Sequence, residues 1–302
     1  MLLIGENIHI ISKQVKLAVE NKDENFVKNL IKIQHNFDAI DLNVGPAKGK
    51  LDNIFQWLIT LCEDKILSFD SSNIEAIKKA LSLVQNPQKC FINSTSADDE
   101  KLERLTDLAL KYGCNLIALA MSKETGVPKD SDLRMELVFK IYEKCMEKGL
   151  DSDKLFFDPL VLPIKVEQGQ GTEVLNSIHM IKESFEPRVN TIVGLSNISN
   201  GIVPAFRPII NRVFAVLCAG AGLDAVIADA RDEELYRILK MLECNNPQNE
   251  IDKLYINLSN MVQYFGKVHD IEFDKNDKEQ LNIIKTARVL LNEEVYSGGL
   301  YL

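Results

Sequence analysis

The stretch AIDLNVG at residues 39–45 is a short apolar run that ends in Asn43 and Gly45, where a strand would give way to a loop. Seven further runs have the same character, and most of them end in an Asn or a lone Asp. These runs are LLIGENIHI (2–10), KILSFDSSN (65–73), KCFINSTS (89–96), LIALAMS (116–122), LFFDPLVLP (155–163), TIVGLSNIS (191–199) and DAVIADA (224–230). Amphipathic stretches separate them, and strands that alternate with helical patterns indicate βαβ units around a parallel sheet. The sequence therefore predicts an α/β fold, a closed (β/α)8 TIM barrel.

The length and composition favour one domain over 1–302. A chain of 302 residues would allow two domains of about 150 residues, but barrels often exceed about 250 residues as one domain. Apolar residues make up 46% and charged residues 26%, ordinary values for a soluble globular protein. The net charge of −9 argues against a nucleic-acid partner, because phosphate binding needs a basic face and every Lys/Arg cluster here is interleaved with acids.

The chain carries no sign of a membrane or of a secretory route. No run approaches the about 20 consecutive apolar residues of a membrane span, and Met1 leads directly into the first predicted strand. We therefore expect a cytoplasmic protein. The six cysteines are scattered without a CxxC pair, so they indicate buried reduced thiols rather than a disulfide framework or a metal site.

Helical patterns fill the intervals between the runs. Ser96 is predicted to cap a helix that ends at Gly113, and a second helix is predicted from about Ser131 to Glu147. A third pattern, between the first two runs, places Phe26 and Phe37 on one apolar face.

The C-terminal region breaks this rhythm. Helical patterns at 232–243, 251–265 and 280–292 follow the eighth run, whereas a single eighth helix needs less chain. We expect a helical insertion at about 234–279, between the eighth strand and the terminal helix. Two positions are open for it: beside the catalytic rim, where it could help dock a partner, or on the outer helix layer or a dimer contact. The tail at 297–302 is expected to be loosely held.

Polar residues collect where the predicted strands end, and in a (β/α)8 barrel that end carries the site. The set is Asp41, Asn43, Asp70, Asn73, Asn93, Asp158 and Asn197. Carboxylates accept hydrogen bonds and Asn both donates and accepts, so Asp70, Asn93 and Asp158 complement a flat heterocycle such as a pterin, which bears amino and ring N–H donors beside a carbonyl. A strand-end Asp or Asn can instead cap the following helix, and the FDSSN stretch fits such a cap.

Six ordered motifs carry a family resemblance. They are DLNVGP (41–46), FDSSN (69–73), INSTS (92–96), GVPKDSD (126–132), DPLVLP (158–163), and GLSN (194–197) followed by RPIINR (207–212). The chain resembles the methyltetrahydrofolate:corrinoid protein methyltransferases. These enzymes belong to the pterin-binding barrel superfamily, with dihydropteroate synthase and the folate domain of cobalamin-dependent methionine synthase. The resemblance covers about 1–232 and the terminal helix.

The resemblance implies a binding role for the strand-end residues. Asp70, Asn93 and Asp158 would hold the pterin ring of tetrahydrofolate or 5-methyltetrahydrofolate, and Asp41 would lie beside them. The substrate implied is therefore a folate, bound at the carboxyl end of the barrel.

The loop after the seventh strand would meet the rest of the folate. By the resemblance, Asn197 would contact the N5 atom that carries the methyl group, and Asn200 and Arg207 would contact the outer part of the molecule. The chain lacks the Asp-x-His-x-x-Gly signature of cobalamin-binding domains, so the corrinoid would be carried by a separate corrinoid protein. Relatives are commonly homodimers, and the resemblance implies the same here.

The implied reaction explains why an amide suffices at position 197. Methyl passes from N5 to Co(I) of a corrinoid by in-line displacement, and negative charge develops on N5 only in the transition state. A donor whose hydrogen bond strengthens there contributes roughly 10²–10³ in rate, by analogy with an oxyanion-hole donor. Asn197, assisted by water, is therefore the candidate catalytic residue.

The sequence departs from the family pattern in two places. The family opens its first strand with Glu-Arg-x-Asn, whereas this chain has Glu6, Asn7, Ile8 and His9, so a first-strand contribution to the folate pocket is not implied. His9 is either a polar contact to the ligand or a histidine packed at the rim. Relatives often have Gln where Asn200 stands.

Two alternatives stay open. A dihydropteroate synthase needs cationic groups for its pyrophosphate leaving group, and the seventh run ends in GLSNIS without Lys or Arg. A non-catalytic folate-binding protein would keep the pocket without turnover. The physiological direction of methyl transfer is also open, because the reaction is reversible.

Overall fold

Eight parallel strands close into a barrel in the computed structural model, which describes residues 1–62 and 65–295. Each strand pairs with the next one along the chain, and the last pairs with the first. The strands are β1 (Leu2–His9), β2 (Ala39–Gly45), β3 (Ile66–Ser71), β4 (Phe91–Thr95), β5 (Asn115–Leu119), β6 (Leu155–Asp158), β7 (Asn190–Gly194) and β8 (Ala225–Ala228). All eight coincide with the predicted runs, so the predicted (β/α)8 barrel is confirmed.

One helix follows each strand from β2 to β7, whereas two helices, α1 and α2, follow β1 and three, α9 to α11, follow β8. In the described part of the chain they are α1 (Lys13–Glu20), α2 (Glu24–Ile33), α3 (Ile54–Cys62), α4 (Ile74–Leu81), α5 (Asp99–Tyr112), α6 (Ser131–Glu147), α7 (Gln170–Ser184), α8 (Arg207–Gly220), α9 (Glu233–Cys244), α10 (Glu250–Gln263) and α11 (Lys278–Leu290). The predicted helix at 131–147 is confirmed. No helix among the described residues is both long and apolar enough to cross a membrane.

The start of α5 differs from the prediction. Its N-cap is Asp98, and the helix begins at Asp99 instead of following directly from Ser96. The Ser96 hydroxyl donates a 2.7 Å hydrogen bond to the Asp98 carboxylate, so this side chain holds the loop and caps no backbone N–H. The predicted end is confirmed, since Gly113 has φ 62° and ψ 24°, a left-handed conformation that glycine adopts without a Cβ penalty.

The barrel interior divides into two levels. An inner apolar cluster at the amino end is built from buried residues of seven strands: Ile4, Ala39, Phe91, Ile117, Phe156, Ile192 and Ala225. It closes that end of the barrel in the way that layered side chains fill other (β/α)8 barrels. The carboxyl end is thereby left for polar side chains.

The C-terminal insertion lies on the outer helix layer. A Cβ on Gly220, the last residue of α8, would lie 2.2 Å from the carbonyl oxygen of Ser259, so α10 packs backbone to backbone on α8. The fully buried Asp252 of α10 accepts a 2.7 Å hydrogen bond from Arg237 of α9. For α10 the expectation of a position beside the catalytic rim is therefore wrong, and this helix has the outer-layer position.

The reason is the direction of α9. Glu243, near its end, accepts a 3.0 Å hydrogen bond from the amino terminus at Met1, which precedes β1. The α9 helix, the first part of the insertion, has thus carried the chain from the carboxyl rim back to the amino end of the strands before α10 begins. The loop that leaves β8 reaches the rim and α9 starts there, but α10 and the residues that follow it start at the other end of the barrel.

Two smaller expectations concern the cysteines and the chain terminus. Five cysteines are buried and free, as expected, whereas Cys244 is exposed. The tail at 297–302 lies outside the described residues.

Candidate active site

The strand register brings the predicted polar residues to one level. Asn43 of β2 pairs with Asp70 of β3, and Asp70 pairs in turn with Asn93 of β4. Because a strand side chain repeats its direction every second residue, positions two beyond the inner apolar cluster also point inward. Six of these positions line one cavity: Glu6, Asp41, Asn93, Asp158, Gly194 and Ile227.

The cavity lies at the carboxyl end of the barrel and has a volume of about 720 Å³. It is lined by all seven residues to which the resemblance gives a place in the site: Asp41, Asp70, Asn93, Asp158, Asn197, Asn200 and Arg207. The space is large enough for a molecule of folate size. The structure thus gathers the predicted residues, while their individual roles stay predictions.

Asp41 supports the side chain of Asn93. Its side chain is 4% exposed and accepts hydrogen bonds from the Ser68 hydroxyl at 2.5 Å and the Asn93 amide at 3.0 Å. Burial raises its pKa to about 6, and those two hydrogen bonds lower it in part. Since one carboxylate oxygen takes both bonds, Asp41 fixes the direction of the Asn93 amide.

Asp70 is the most strongly perturbed acid of this wall. Burial raises its pKa to about 8, and the nearby Asp41 charge raises it further, whereas the hydrogen bond from the Asn43 amide lowers it. A carboxyl group in this condition gains from any ligand that brings an N–H donor. Binding of a ligand that donates an N–H to Asp70 should therefore release the proton from this carboxyl group.

Asp158 completes this wall at the end of β6. Burial raises its pKa to about 7, while the Leu160 backbone N–H, which donates at 2.8 Å, and the charge of Arg134 lower it. Arg134 is fully buried and is held by the Pro128 carbonyl at 3.1 Å and by Gln170 at 2.5 Å. We call Asp70, Asn93 and Asp158, together with Asp41, the acid–amide wall.

The opposite part of the cavity is built by the loop after β7. Asn197 and Asn200 are exposed to the cavity, and a Cβ on Gly194 would lie 3.1 Å from the Asn197 amide nitrogen. Glycine at this position therefore leaves room for that amide. Arg207, at the start of α8, donates to the Ser199 hydroxyl at 3.1 Å and to the Ser196 carbonyl at 3.5 Å, which holds it over the loop.

Sequence reasoning missed one part of the site, because the changed first-strand motif directed attention away from β1. Glu6 lines the cavity, accepts a 2.5 Å hydrogen bond from Ser196, and has its pKa raised to about 7, chiefly by burial. The signal that could have found it is the period of two, since Glu6 stands two residues beyond the buried Ile4.

The other first-strand and strand-end residues have different fates. Asn7 is 2% exposed and clamps the end of β8 by bonding to Asp229 at 2.5 Å and to the Ala230 N–H at 3.0 Å. His9 lines the cavity while half-buried, and burial lowers its pKa. Asn73 caps α4, so the helix-cap alternative holds for that residue.

The chemistry available here is hydrogen bonding and proton transfer. Among residues 1–62 and 65–295, no group of His, Cys, Asp or Glu side chains is arranged to hold a metal ion. The acid–amide wall offers acceptors and one amide to a flat polar ring. The loop after β7 offers an exposed amide and a fixed guanidinium.

Solved structures show the same fold. The chain superimposes on the Xanthomonas albilineans dihydropteroate synthase with a TM-score of 0.57 at 17% identity, covering 80% of this chain and 92% of that one. The Thermus thermophilus dihydropteroate synthase gives a TM-score of 0.54, also at 17% identity, over 80% and 93% of the two chains. At this identity the likeness concerns the fold alone.

Sequence relatives point to folate and corrinoid enzymes. The methylcorrinoid:tetrahydrofolate methyltransferase of Eubacterium limosum is 27% identical over 241 residues, 78% of this chain and 87% of that protein. The methionine synthase of Mycobacterium leprae is 28% identical over 174 residues, which are 54% of this chain but only 14% of that much longer protein. The sequence pattern of the pterin-binding enzymes matches residues 46–229, more than half of the chain. With that match, and with a polar cavity at the carboxyl end of a (β/α)8 barrel, the chain belongs to the pterin-binding enzyme family.

Proposed function

We propose that this protein moves a methyl group between N5 of tetrahydrofolate and the cobalt of a corrinoid carried by a separate protein. The observation that carries the proposal is the placement in one cavity of the acid–amide wall and of Asn197. The name of the Eubacterium limosum relative, which aligns over most of both chains, supports the same reaction.

The acid–amide wall suits the pterin edge. The ring offers amino and ring N–H donors to Asp70 and Asp158, and a carbonyl to the Asn93 amide. Charged hydrogen bonds of this kind contribute about 1.5–3 kcal/mol each. Binding therefore orients the ring as well as holding it, because Asp41 already fixes the Asn93 amide.

Asn197 serves the reacting atom in this proposal. When methyl leaves N5, negative charge develops there unless a proton or a strong donor reaches the atom. The Asn197 amide is exposed in the cavity with space left by Gly194, so it is free to approach N5. Asn200 and Arg207, farther along the same loop, would hold the outer part of the folate.

The corrinoid partner would approach the carboxyl rim, since that is where the cavity opens. Its cobalt supplies the chemistry of accepting the methyl group in one direction and donating it in the other. In this proposal the residues of this chain orient the folate and donate a hydrogen bond to N5. A homodimer and a cytoplasmic location are also part of the proposal, and light scattering checks the former.

The first test is a spectrophotometric assay with the purified protein, 5-methyltetrahydrofolate and free Co(I) cobalamin. We expect the Co(I) absorption to give way to that of methyl-Co(III), and the reverse change to occur with methylcobalamin and tetrahydrofolate. Omission of the protein is the control. Tight folate binding without either conversion would select the non-catalytic alternative, and condensation of a pterin pyrophosphate with 4-aminobenzoate would select the dihydropteroate synthase.

A further inference from the structure

A second acidic group faces the cavity from β1, apart from the acid–amide wall. The Glu6 carboxylate accepts a 2.5 Å hydrogen bond from the hydroxyl of Ser196, and both residues line the cavity. Ser196 immediately precedes Asn197 in the short 3₁₀ helix Leu195–Asn197. The β1 strand and the loop after β7 are thus joined next to the candidate N5 contact.

The charges around Glu6 come from several elements. Asp41 of β2 and Asp229 after β8 oppose its ionisation, whereas Arg207 of α8 favours it, and burial outweighs each of these charges. The other acids nearby have partners of their own: Asp41 takes Ser68 and Asn93, and Asp229 takes Asn7 and the Arg231 backbone N–H. Glu6 is described with a single side-chain partner, which is itself a hydroxyl able to pass a proton on.

We propose that Glu6 and Ser196 form the proton-transfer pair for N5 of the folate. The inference rests on the proposed methyl transfer and adds to it the source of the proton. Asn197 then stabilises the charge at N5 while the Glu6–Ser196 pair neutralises it.

As the N5–CH3 bond breaks and the methyl group passes to cobalt, the N5 electron pair takes the Ser196 hydroxyl proton, and Ser196 takes the proton of the Glu6 carboxylic acid. Glu6 is left as a carboxylate that accepts a hydrogen bond from Ser196. In the opposite direction the Glu6 carboxylate receives the proton of N5–H through the same hydroxyl, so one group serves as acid and as base.

The condition of Glu6 suits both directions. Its pKa of about 7 leaves comparable amounts of acid and carboxylate near neutral pH, which is where a general acid or base is most effective. The pH dependence should therefore have opposite signs. Methyl transfer from methyltetrahydrofolate should slow as the pH rises above about 7, and transfer to tetrahydrofolate should slow as it falls below that value.

The experiment compares wild type with Glu6→Gln, which keeps the shape and hydrogen-bonding capacity but cannot exchange a proton, and with Ser196→Ala. Glu24→Gln, an exposed acid paired with Lys28 far from the cavity, is the matched control. Single-turnover methyl transfer is measured in both directions between pH 5.5 and 8.5. We expect each site variant to lose at least about tenfold in rate, and the opposite pH limbs near neutrality to disappear in Glu6→Gln.

A second readout needs no turnover. Calorimetry of folate binding at pH 7.5 in buffers of different ionisation enthalpy counts the protons exchanged on binding. Because the ligand removes water from the cavity and further favours the protonated acid, wild type should take up more protons, or release fewer, than Glu6→Gln. The control variant should match wild type.

The outcomes separate the two proposals. If wild type transfers methyl in neither direction, the proposed function is overturned. The calorimetric difference between wild type and Glu6→Gln then still shows whether Glu6 takes up a proton when folate binds. An active wild type with parallel pH profiles and equal proton counts in Glu6→Gln overturns the Glu6–Ser196 pair alone. A loss of rate by the same factor at every pH, which leaves both wild-type pH limbs in place, has the same meaning, because it shows a structural role.

Discussion

The Asn93 amide donates a 3.0 Å hydrogen bond to Asp41 and thereby joins β4 to β2 across the intervening strand. Inward side chains of alternate strands share one level in a (β/α)8 barrel, which explains how residues 52 positions apart become neighbours. The Asp41 side chain is almost fully buried, so we expect it to affect a bound ring mainly by holding the Asn93 amide in place. This relationship makes the acid–amide wall a unit with a testable internal coupling.

The first prediction concerns that coupling. Asp41→Ala and Asn93→Ala should each weaken tetrahydrofolate binding, by about 1–3 kcal/mol. Asp41→Ala removes the hydrogen bond that orients the Asn93 amide, and Asn93→Ala removes the amide that contacts the ring. The double variant should lose clearly less than the sum, since the two residues act as one group. Calorimetry of all four proteins gives the cycle. Strictly additive losses would mean that Asp41 acts on the ligand independently of Asn93.

The second prediction is that folate affinity rises with pH between about 6 and 8. The pKa values of Asp70 and Asp158 are raised to about 8 and about 7 in the free protein, so both are partly protonated at neutral pH. Pterin N–H donors favour the ionised carboxylates, and binding must therefore release protons. Asp70→Asn should reduce both the affinity and its pH dependence. Titrations at three pH values check this, and an affinity that falls with pH would reverse the assignment.

The third prediction is that Asp70 makes the free protein less stable at high pH. The folded pKa of about 8 lies above the ordinary value near 3.9, so between these values the folded state binds more protons than the unfolded state. The free energy of unfolding therefore decreases as the pH rises through this window. The free energy of unfolding of Asp70→Asn should exceed that of wild type by at least about 1 kcal/mol at pH 8, and by less than this at pH 5. Denaturant titrations at both pH values measure this difference. An equal increase in stability at pH 5 and pH 8 would show that ionisation of Asp70 is not the cause.

The sequence predicted the fold because the fold follows from local patterns. Eight apolar runs with helical intervals between them leave few topologies other than a closed parallel barrel, and all eight runs are strands. The residues that end strands, such as Asp70 and Asp158, could be found for the same reason. Asn73 has the same local setting but caps a helix, and a cap cannot be distinguished from a ligand contact without the position of the next backbone N–H groups.

The errors come from long-range geometry. The placement of the insertion depended on where α9 ends, which the contact between Met1 and Glu243 reveals but no local pattern encodes. The period of two could have placed Glu6 inside the barrel but not its contact with Ser196, which is 190 residues away and comes beside β1 only through barrel closure. Composition near position 6 carries no trace of that contact.

The fourth prediction concerns Asn197. Its hydrogen bond should strengthen as charge develops on N5, so Asn197→Ala should lose at least about tenfold in the single-turnover rate, with a smaller loss of folate affinity. Asn200→Ala is the matched control on the same exposed loop, and it should chiefly weaken binding. If Asn197→Ala loses only affinity and keeps its chemical rate, its role is ligand positioning.

The fifth prediction separates the insertion from catalysis. The α10 helix packs on Gly220 of α8, where a Cβ would meet the Ser259 carbonyl at 2.2 Å, so Gly220→Val should force the helices apart. We expect it to destabilise the protein by about 1–3 kcal/mol, whereas Lys253→Ala, an exposed change on the same helix, should have little effect. Because this contact lies on the outer layer, the folded fraction of Gly220→Val should transfer methyl at the wild-type rate with free cobalamin and with protein-bound corrinoid alike.

Replacing 246–276 by a short Gly/Ser linker extends the test to the whole segment. A loss confined to the protein-bound corrinoid would show that the insertion contacts the partner despite its position.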